Sequence, residues 1–201
     1  MTKTAAIILA AGLSRRMGAQ NKLLLPVGGV SMVYHVVSQY AGALDGPITV
    51  VTGHEAPQVE KALNGLNVTC VYHAGFADGQ QSSVAFGLRH CPQADVVLIG
   101  LADQPLLRSA DITSLLAAHH GGETCKVSIP VSGNTRGNPI IIPDVLRPQL
   151  TANPDRPGCM RFTRDNPDLV QRHALNAPGF YTDVDTPDAY AKLHQKEAPA
   201  R

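Results

Sequence analysis

Residues 9–22 read Leu-Ala-Ala-Gly-Leu-Ser-Arg-Arg-Met-Gly-Ala-Gln-Asn-Lys, which places three cations, Arg15, Arg16 and Lys22, in one loop behind a run of small residues. Small residues let backbone N–H groups approach a phosphate or a base edge closely, and the cations can balance a polyanion. The segment is neither of the two best-known phosphate loops. Gly12 and Gly18 are six apart with Ala19 next, so there is no G-x-x-x-x-G-K-[ST], and no G-x-G-x-x-G is present. On the residues alone, a solvated basic loop after a buried strand competes with a polyanion site.

Carboxylates recur at two later points. Asp103, in Leu-Ala-Asp-Gln-Pro, follows the most apolar run of the chain, residues 94–101. Mg²⁺ is typically held by one or two carboxylates together with substrate phosphates, and Asp103 suits that role; a helix cap is the competing reading. Asp183 and Asp185, at i and i+2 in Asp-Val-Asp-Thr-Pro, face one side if the chain is extended there. Asp185 also sits where a helix dipole would favour a negative charge. Gly79-Gln-Gln-Ser-Ser-Val is a polar loop running into a helix over residues 82–89 with a serine cap. Such an N-terminus can hold an anion or a base carbonyl, and a plain capping fragment would look the same. The eight histidines show no H-x-x-x-H or H-E-x-x-H spacing, and the four cysteines no C-x-x-C pair. A histidine zinc site and a disulfide framework are therefore not expected, and the scattered thiols suit a reducing cytosol.

The elements that must position these residues alternate along the chain. Apolar runs at residues 4–11, 47–53, 67–73 and 94–101 read as strands. Amphipathic segments at 31–41, 55–63 and 82–89 read as helices between them. A helix at 109–119, capped by Ser109, is followed by strands at 126–131 and 139–142, an antiparallel hairpin-like excursion. Short helices at 145–150 and 159–164, a strand at 169–174 and a helix at 187–194 with Thr186 as cap complete the pattern. The class is α/β, with a mainly parallel central sheet and helices on both faces. Ligands of such sheets sit beyond the carboxyl ends of strands, where the Gly12 loop, residues 102–105 and residues 183–187 are expected to converge.

At 201 residues and 21.3 kDa one domain, residues 1–201, is the expectation. A net charge of +1 provides no global field for nucleic acid. No apolar run approaches the length of a membrane span, and the N-terminus lacks a signal-cleavage region, so a soluble cytoplasmic protein is expected.

The string L-A-A-G-x-S-x-R-M-G-x-x-N-K-L-L resembles the opening signature of the nucleotidyltransferases related to molybdenum-cofactor cytidylyltransferase and guanylyltransferase. The likeness continues through residues 79–88, 102–105, 136–139 and 183–190. It implies a Rossmann-like nucleotide-diphospho-sugar transferase fold and transfer of CMP from CTP to the terminal phosphate of molybdopterin, with release of pyrophosphate. Leu9, Ala10, Ala11, Gly12 and Ser14 would then form the nucleotide segment, with Gln80, Ser82 and Ser83 as candidate base and ribose contacts. Arg16 and Lys22 would bind the triphosphate and act in catalysis with Asp103. Asp103 and Asp185 would hold Mg²⁺, or Mn²⁺ in its place, with Asp183 left open. Arg136, Asn138 and Arg161 would face the acceptor, although Asn138 stands where the cytidylyltransferases more often carry histidine. Ala11 favours CTP, because the guanylyltransferases tend to read Leu-Ala-Gly-Gly and an added methyl narrows the base pocket. Contact with a molybdenum hydroxylase or its maturation factor follows from the same resemblance. A sugar phosphate or other phosphorylated acceptor, GTP as donor, and a non-catalytic nucleotide or cofactor carrier are the alternatives. A dinucleotide oxidoreductase is disfavoured by the missing fingerprint. An acceptor phosphate is already anionic near neutral pH, so the absence of a nucleophile–base pair agrees with this chemistry.

Overall fold

The computed structural model describes residues 2–18, 20–151 and 159–197. Strand β1 (Thr4–Ala10) is an alanine, isoleucine and leucine run with nearly every residue buried, as a central parallel strand requires. Two 3-10 turns (Arg15–Met17 and Lys22–Leu24) and a small antiparallel ribbon, β2 (Pro26–Val27) and β3 (Val30–Ser31), lead into helix α1 (Met32–Ala43). The Ser31 hydroxyl caps that helix by accepting from Tyr34 N at 3.4 Å. Then come β4 (Ile48–Thr52), α2 (Ala56–Ala62), β5 (Thr69–Tyr72), α3 (Gln80–His90), β6 (Val96–Leu101) and α4 (Ser109–His120). The chain closes with β7 (Val127–Ser132), β8 (Thr135–Arg136), β9 (Ile140–Pro143), α5 (Arg147–Thr151), α6 (Cys159–Asp165), β10 (Val170–Ala174) and α7 (Pro187–Glu197).

The main sheet has the order β10-β7-β9-β6-β1-β4-β5, with β8 paired to β7. All its pairings are parallel except those made by β9 and β8. The antiparallel element extends further than a hairpin: β9 is inserted between β6 and β7 in the body of the sheet. Ile140, Ile141 and Ile142 are all buried, and only an interior slot covers both faces of such a strand. Alternation along β1 sends Ala6, Ile8 and Ala10 to a core shared with α1 and α4, and Ala5 and Ile7 to one shared with α3 and α5.

Two helix starts differ from expectation. Helix α3 begins at Gln80 behind Gly79, whose φ of +103° only glycine adopts freely. Ser82 lies inside its first turn, with its hydroxyl donating back to Gly79 O at 2.8 Å. Helix α4 is capped from Arg108, whose N–H donates to the Asp111 carboxylate at 3.0 Å, while the Ser109 hydroxyl donates to Gln39 O at 2.8 Å. Thr186 caps α7 as expected, accepting from Ala189 N at 3.2 Å. No helix of the described residues is long and apolar enough to cross a membrane.

Gly100, in the central strand β6, lies under the fully buried ring of Tyr40, and a Cβ there would fall 1.9 Å from Tyr40 Oη. Gly100→Ala is therefore expected to cost about 1–3 kcal/mol by overpacking. This corresponds to a Tm lower by roughly 3–10 °C; an unchanged thermal unfolding curve would show that β6 and α1 do not pack as described.

Candidate functional site

Three segments meet at the carboxyl ends of β1 and β6. Val184 N donates to Asp103 O at 2.9 Å, which holds residues 183–185 against the end of β6. Gln104, 1% exposed, grips the same segment by donating Nε2 to Asp183 Oδ1 at 2.8 Å and to Phe180 O at 3.2 Å. On the other side, the turn carrying Lys22 is built by local caps. Asn21 Oδ1 accepts from Leu23 N at 3.1 Å, and the Ser14 hydroxyl accepts from Lys22 N at 3.3 Å.

These supports aim Lys22 Nζ between two carboxylates. It donates to Asp103 Oδ2 and, at 2.6 Å, to Asp185 Oδ1. Arg16 Nη2 donates to Asp185 Oδ2 at 2.8 Å. The cations differ in setting: the Lys22 side chain is 10% exposed and that of Arg16 68%. Burial alone would lower the Lys22 pKa, but Asp103 and then Asp185 outweigh it, and the ammonium is held above its ordinary value. Burial pushes the Asp185 carboxyl up, yet the hydrogen bond and charge of Lys22, followed by Arg16, leave it below the usual range. Asp183 goes the other way, raised by burial and then by the charge of Asp103, with the Gln104 hydrogen bond in partial opposition.

Around this cluster lies a cleft of about 400 Å³, within the size range of small-ligand sites. Leu9, Ala11 and Gly12 form one wall, and Phe76, Gly79, Gln80 and Ser83 another, at the start of α3. Arg15, Arg16, Lys22, Asp103, Asp183 and Asp185 line the charged end. A Cβ on Gly12 would meet nothing within 4 Å, so the space beside it is open for a ligand. The cleft can thus seat a flat, partly apolar group at one end and a polyanion at the other.

Of the residues singled out in the sequence, Leu9, Ala11, Gly12, Arg16, Lys22, Gln80, Ser83, Asp103 and Asp185 line this cleft. Ala10 is 1% exposed and faces the core on the α1 side. Ser14 acts from behind, through its bond to Lys22 N. Ser82 turns away from the cleft, 3.1 Å from His73 Nε2 and bonded to Gly75 O and Gly79 O; a helical step of about 100° separates it from Ser83. Asn138 N donates to Phe180 O at 2.9 Å, behind the cleft wall. Arg136 donates to Thr163 Oγ1 at 2.7 Å in a separate depression, and Arg161 pairs with Asp165 at 3.1 Å on the exposed face of α6. Of the stretch 157–161, expected with residues 136–139 to distinguish acceptors, residues 157 and 158 lie outside the described residues. Arg15, the third cation of the first loop, lines the cleft too, while Phe76 and Gln104 were given no role from the sequence. The position of Gln104, directly after Asp103 at the end of the central strand, was the available signal for the last.

The donor set fits a hard divalent cation. Asp103 Oδ1 is buried with no hydrogen-bond partner among the described residues, and the carboxylate of Asp185 shares the Lys22 ammonium with it. Among the described residues, no group of three or more His, Cys, Asp or Glu forms a ready cage. One or two carboxylates completed by ligand phosphates is the usual Mg²⁺ arrangement, and Asp103 and Asp185 are the residues that could provide the carboxylates.

The pairing has a titration signature. Because the folded pKa of Asp185 is depressed, its contribution to stability is present above the ordinary carboxylate range and is lost as pH falls through the depressed value. In Lys22→Met, ¹³C-detected titration of the Asp185 carboxyl should show a higher midpoint than in the parent protein. The acid limb of the stability curve should move upward in pH with it. An unmoved midpoint would refute the shared ammonium.

Compared with known proteins, residues 6–173 match the MobA-like NTP transferase domain. The nicotine blue oxidoreductase of Paenarthrobacter nicotinovorans is 27% identical over 193 residues, covering 93% of this chain and 94% of that protein. The bifunctional protein GlmU of Corynebacterium aurimucosum is 33% identical over 128 residues, 60% of this chain, and the match spans only 26% of that longer protein. A nucleotidyl transferase from Methanothermobacter thermautotrophicus shares the fold, with a TM-score of 0.82, 24% identity and coverage of 96% of this chain and 97% of that one. The domain match takes in the first loop, the end of β6 and most of the sheet, and by it this chain belongs to the MobA-like NTP transferase domain family.

Proposed function

We propose that the protein is a cytidylyltransferase that moves CMP from CTP to the terminal phosphate of molybdopterin or its molybdenum-loaded form, releasing pyrophosphate. The observation that carries this reading is the single ammonium of Lys22 bonded to carboxylates 81 and 163 residues away in sequence. That arrangement keeps one cation and two metal-competent carboxylates together in an open cleft. The family membership supports nucleotidyl transfer as the reaction class.

In this scheme an acceptor phosphate oxygen attacks the α-phosphorus, and the bond to the departing pyrophosphate breaks. The acceptor is largely ionised near neutral pH, so no side chain need remove a proton. Charge on the phosphoryl oxygens and on the leaving group is what the site must manage. Arg16 and Lys22 exchange their carboxylate partners for the triphosphate and stabilise the pyrophosphate as it leaves. Asp103 and Asp185, released from Lys22, would hold Mg²⁺ or Mn²⁺, which supplies polarisation of the phosphoryl oxygens when bound. Leu9, Ala11 and Gly12 receive the base, with the Ala11 methyl narrowing the pocket toward a pyrimidine. Gln80 and Ser83, at the first turn of α3, offer side-chain and backbone donors to base and ribose. Gln104 positions Asp183 so that this third carboxylate stays beside the site without a free rotamer.

The full-length likeness to a protein named an oxidoreductase supports a second reading, reduction of an organic substrate in the same cleft. One assay series separates the readings. Pyrophosphate release is measured with CTP, GTP, ATP and UTP, with molybdopterin and with sugar phosphates, with Mg²⁺ added and withheld. CTP with molybdopterin and Mg²⁺ is expected to be fastest. A GTP preference would reassign the base, and a sugar-phosphate preference the acceptor. Nucleotide binding without pyrophosphate release would mark a carrier, and oxidation of NAD(P)H in its place would favour the reductase. Asp103→Asn should abolish release while leaving the fold intact, and Lys22→Met should lower it by about 10²–10³, the scale for one preorganised charge-stabilising group. An undiminished rate in Asp103→Asn would sink the scheme.

A further inference from the structure

A second cleft, of about 480 Å³, lies between the β7–β8 hairpin, β10 and α6. Strand alternation sets its character. Ile129 pairs with Arg172 across β7 and β10, and Val131 pairs with Arg136 across β7 and β8, so these four side chains share a face. Gln171 and His173 point the other way, to the Ser128 hydroxyl. The result is an apolar floor with Arg136, Arg164 and Arg172 around it and no acidic residue among the described residues that line it.

The charges there are not balanced within the protein. Arg164 lies 3.6 Å from Asp165, a carboxylate that Arg161 already engages at 3.1 Å. Arg136 spends one N–H on the neutral Thr163 hydroxyl, and among the described residues neither it nor Arg172 has a carboxylate partner. Arg136 is half-buried, and its guanidinium is held below its ordinary value first by burial and then by the neighbouring charge of Arg172. Arg136 carries its charge half out of water without a carboxylate to offset it, and Arg172, exposed on the same face, adds a second positive charge to one concave, partly apolar space. A guanidinium fork matches phosphate oxygens two at a time, and a phosphate monoester carries close to two negative charges at neutral pH. The chemistry therefore balances with one such group.

We infer that this cleft is a second binding site, for a small organic phosphate whose apolar body rests on Ile129, Val131 and Val170 and whose phosphate lies between Arg136 and Arg172. The phosphate can belong to a separate effector or, where the acceptor carries a second phosphate besides the one that reacts in the first cleft, to the far end of that acceptor.

The test is calorimetric titration of 4-nitrophenyl phosphate, an apolar ring bearing one phosphate, into the full chain and its variants. Arg172 is exposed, so Arg172→Gln should fold normally, and Arg136→Lys serves as a second variant that keeps the charge but loses the fork. Binding at millimolar concentration is expected in the parent protein, weakened about tenfold or more in each arginine variant and changed less than about twofold in Lys22→Met. No binding to the parent protein, equal binding to Arg172→Gln, or loss in Lys22→Met alone would overturn the site. Transfer kinetics then identify the source, the one arm that rests on the nucleotidyl-transfer reading. A raised acceptor KM with unchanged CTP KM in Arg172→Gln assigns the acceptor, and both KM values unchanged assigns an effector. A raised KM for CTP alone would overturn the proposal, by locating the effect of Arg172 in the first cleft.

Discussion

Lys22 carries a full charge into a position that leaves only a tenth of its side chain exposed, and it can do so because Asp103 and Asp185 meet it there. Desolvating an isolated ammonium would cost several kcal/mol, and removing either partner would leave the others uncompensated. Arg16, mostly exposed, closes the arrangement from the solvent side. Two cations and two carboxylates thus neutralise each other in the cleft, and the third carboxylate, Asp183, is pushed toward its neutral form by burial and by Asp103. In the proposed reaction a divalent cation and a triphosphate would offer these groups partners of the opposite sign. The carboxylates would turn to the cation and Lys22 and Arg16 to the phosphates, with Lys22 and Asp103 staying in their part-buried positions. Lys22 and Asp103 are already largely out of water, which is the kind of fixed setting electrostatic preorganisation requires.

Such an arrangement needs its members held by rigid parts, because they come from opposite ends of the chain. Asp103 follows the central strand of the sheet, and its own carbonyl fixes Val184, which lies between Asp183 and Asp185. Gln104 adds a buried amide that ties Asp183 to the same spot. Lys22 is set by two short turns whose caps, Asn21 and Ser14, are local to the loop. Backbone and amide bonds thus place the carboxylates, and a compact loop places the cation. The ion pairs themselves are the adaptable part.

The alternation of strands and helices was legible because each buried parallel strand is a short apolar run bounded by glycine or polar residues. The meeting of the Gly12 loop, residues 102–105 and residues 183–187 followed from the rule that ligand loops gather at strand ends. What remained hidden depended on contacts far apart in sequence or on a single helical step. Nothing local in Asn21-Lys22 announces that the ammonium will lie between two aspartates. Ser82 and Ser83 are equivalent as letters, and only the start of α3 at Gly79, one turn earlier than a serine cap would put it, decides which faces the cleft. Likewise, Ile140 to Ile142 could have ended a surface hairpin. Only the pairing with β6, Leu98 to Ile141 and Ile99 to Ile140, shows that they fill a gap in the sheet.

The segment between the two clefts shows where this scaffold can vary without losing its shape. Arg136 belongs to the second cleft, and two residues later Asn138 N donates to the Phe180 carbonyl that Gln104 also grips behind Asp183. Gly137 is fixed by crowding, since a Cβ there would fall 2.7 Å from both Phe180 O and the Tyr181 ring. At position 138 the demand is different. The bond to Phe180 uses the backbone N–H, which every residue but proline provides, so asparagine in place of the more usual histidine keeps that bond. Residue 138 is thus held through its main chain, whereas Gly137 is also held by the lack of room for a side chain. The side chain at residue 138 can therefore change while the carboxylates of the first cleft keep their supports, because the hydrogen bonds that hold Val184 and Asp183 do not pass through it.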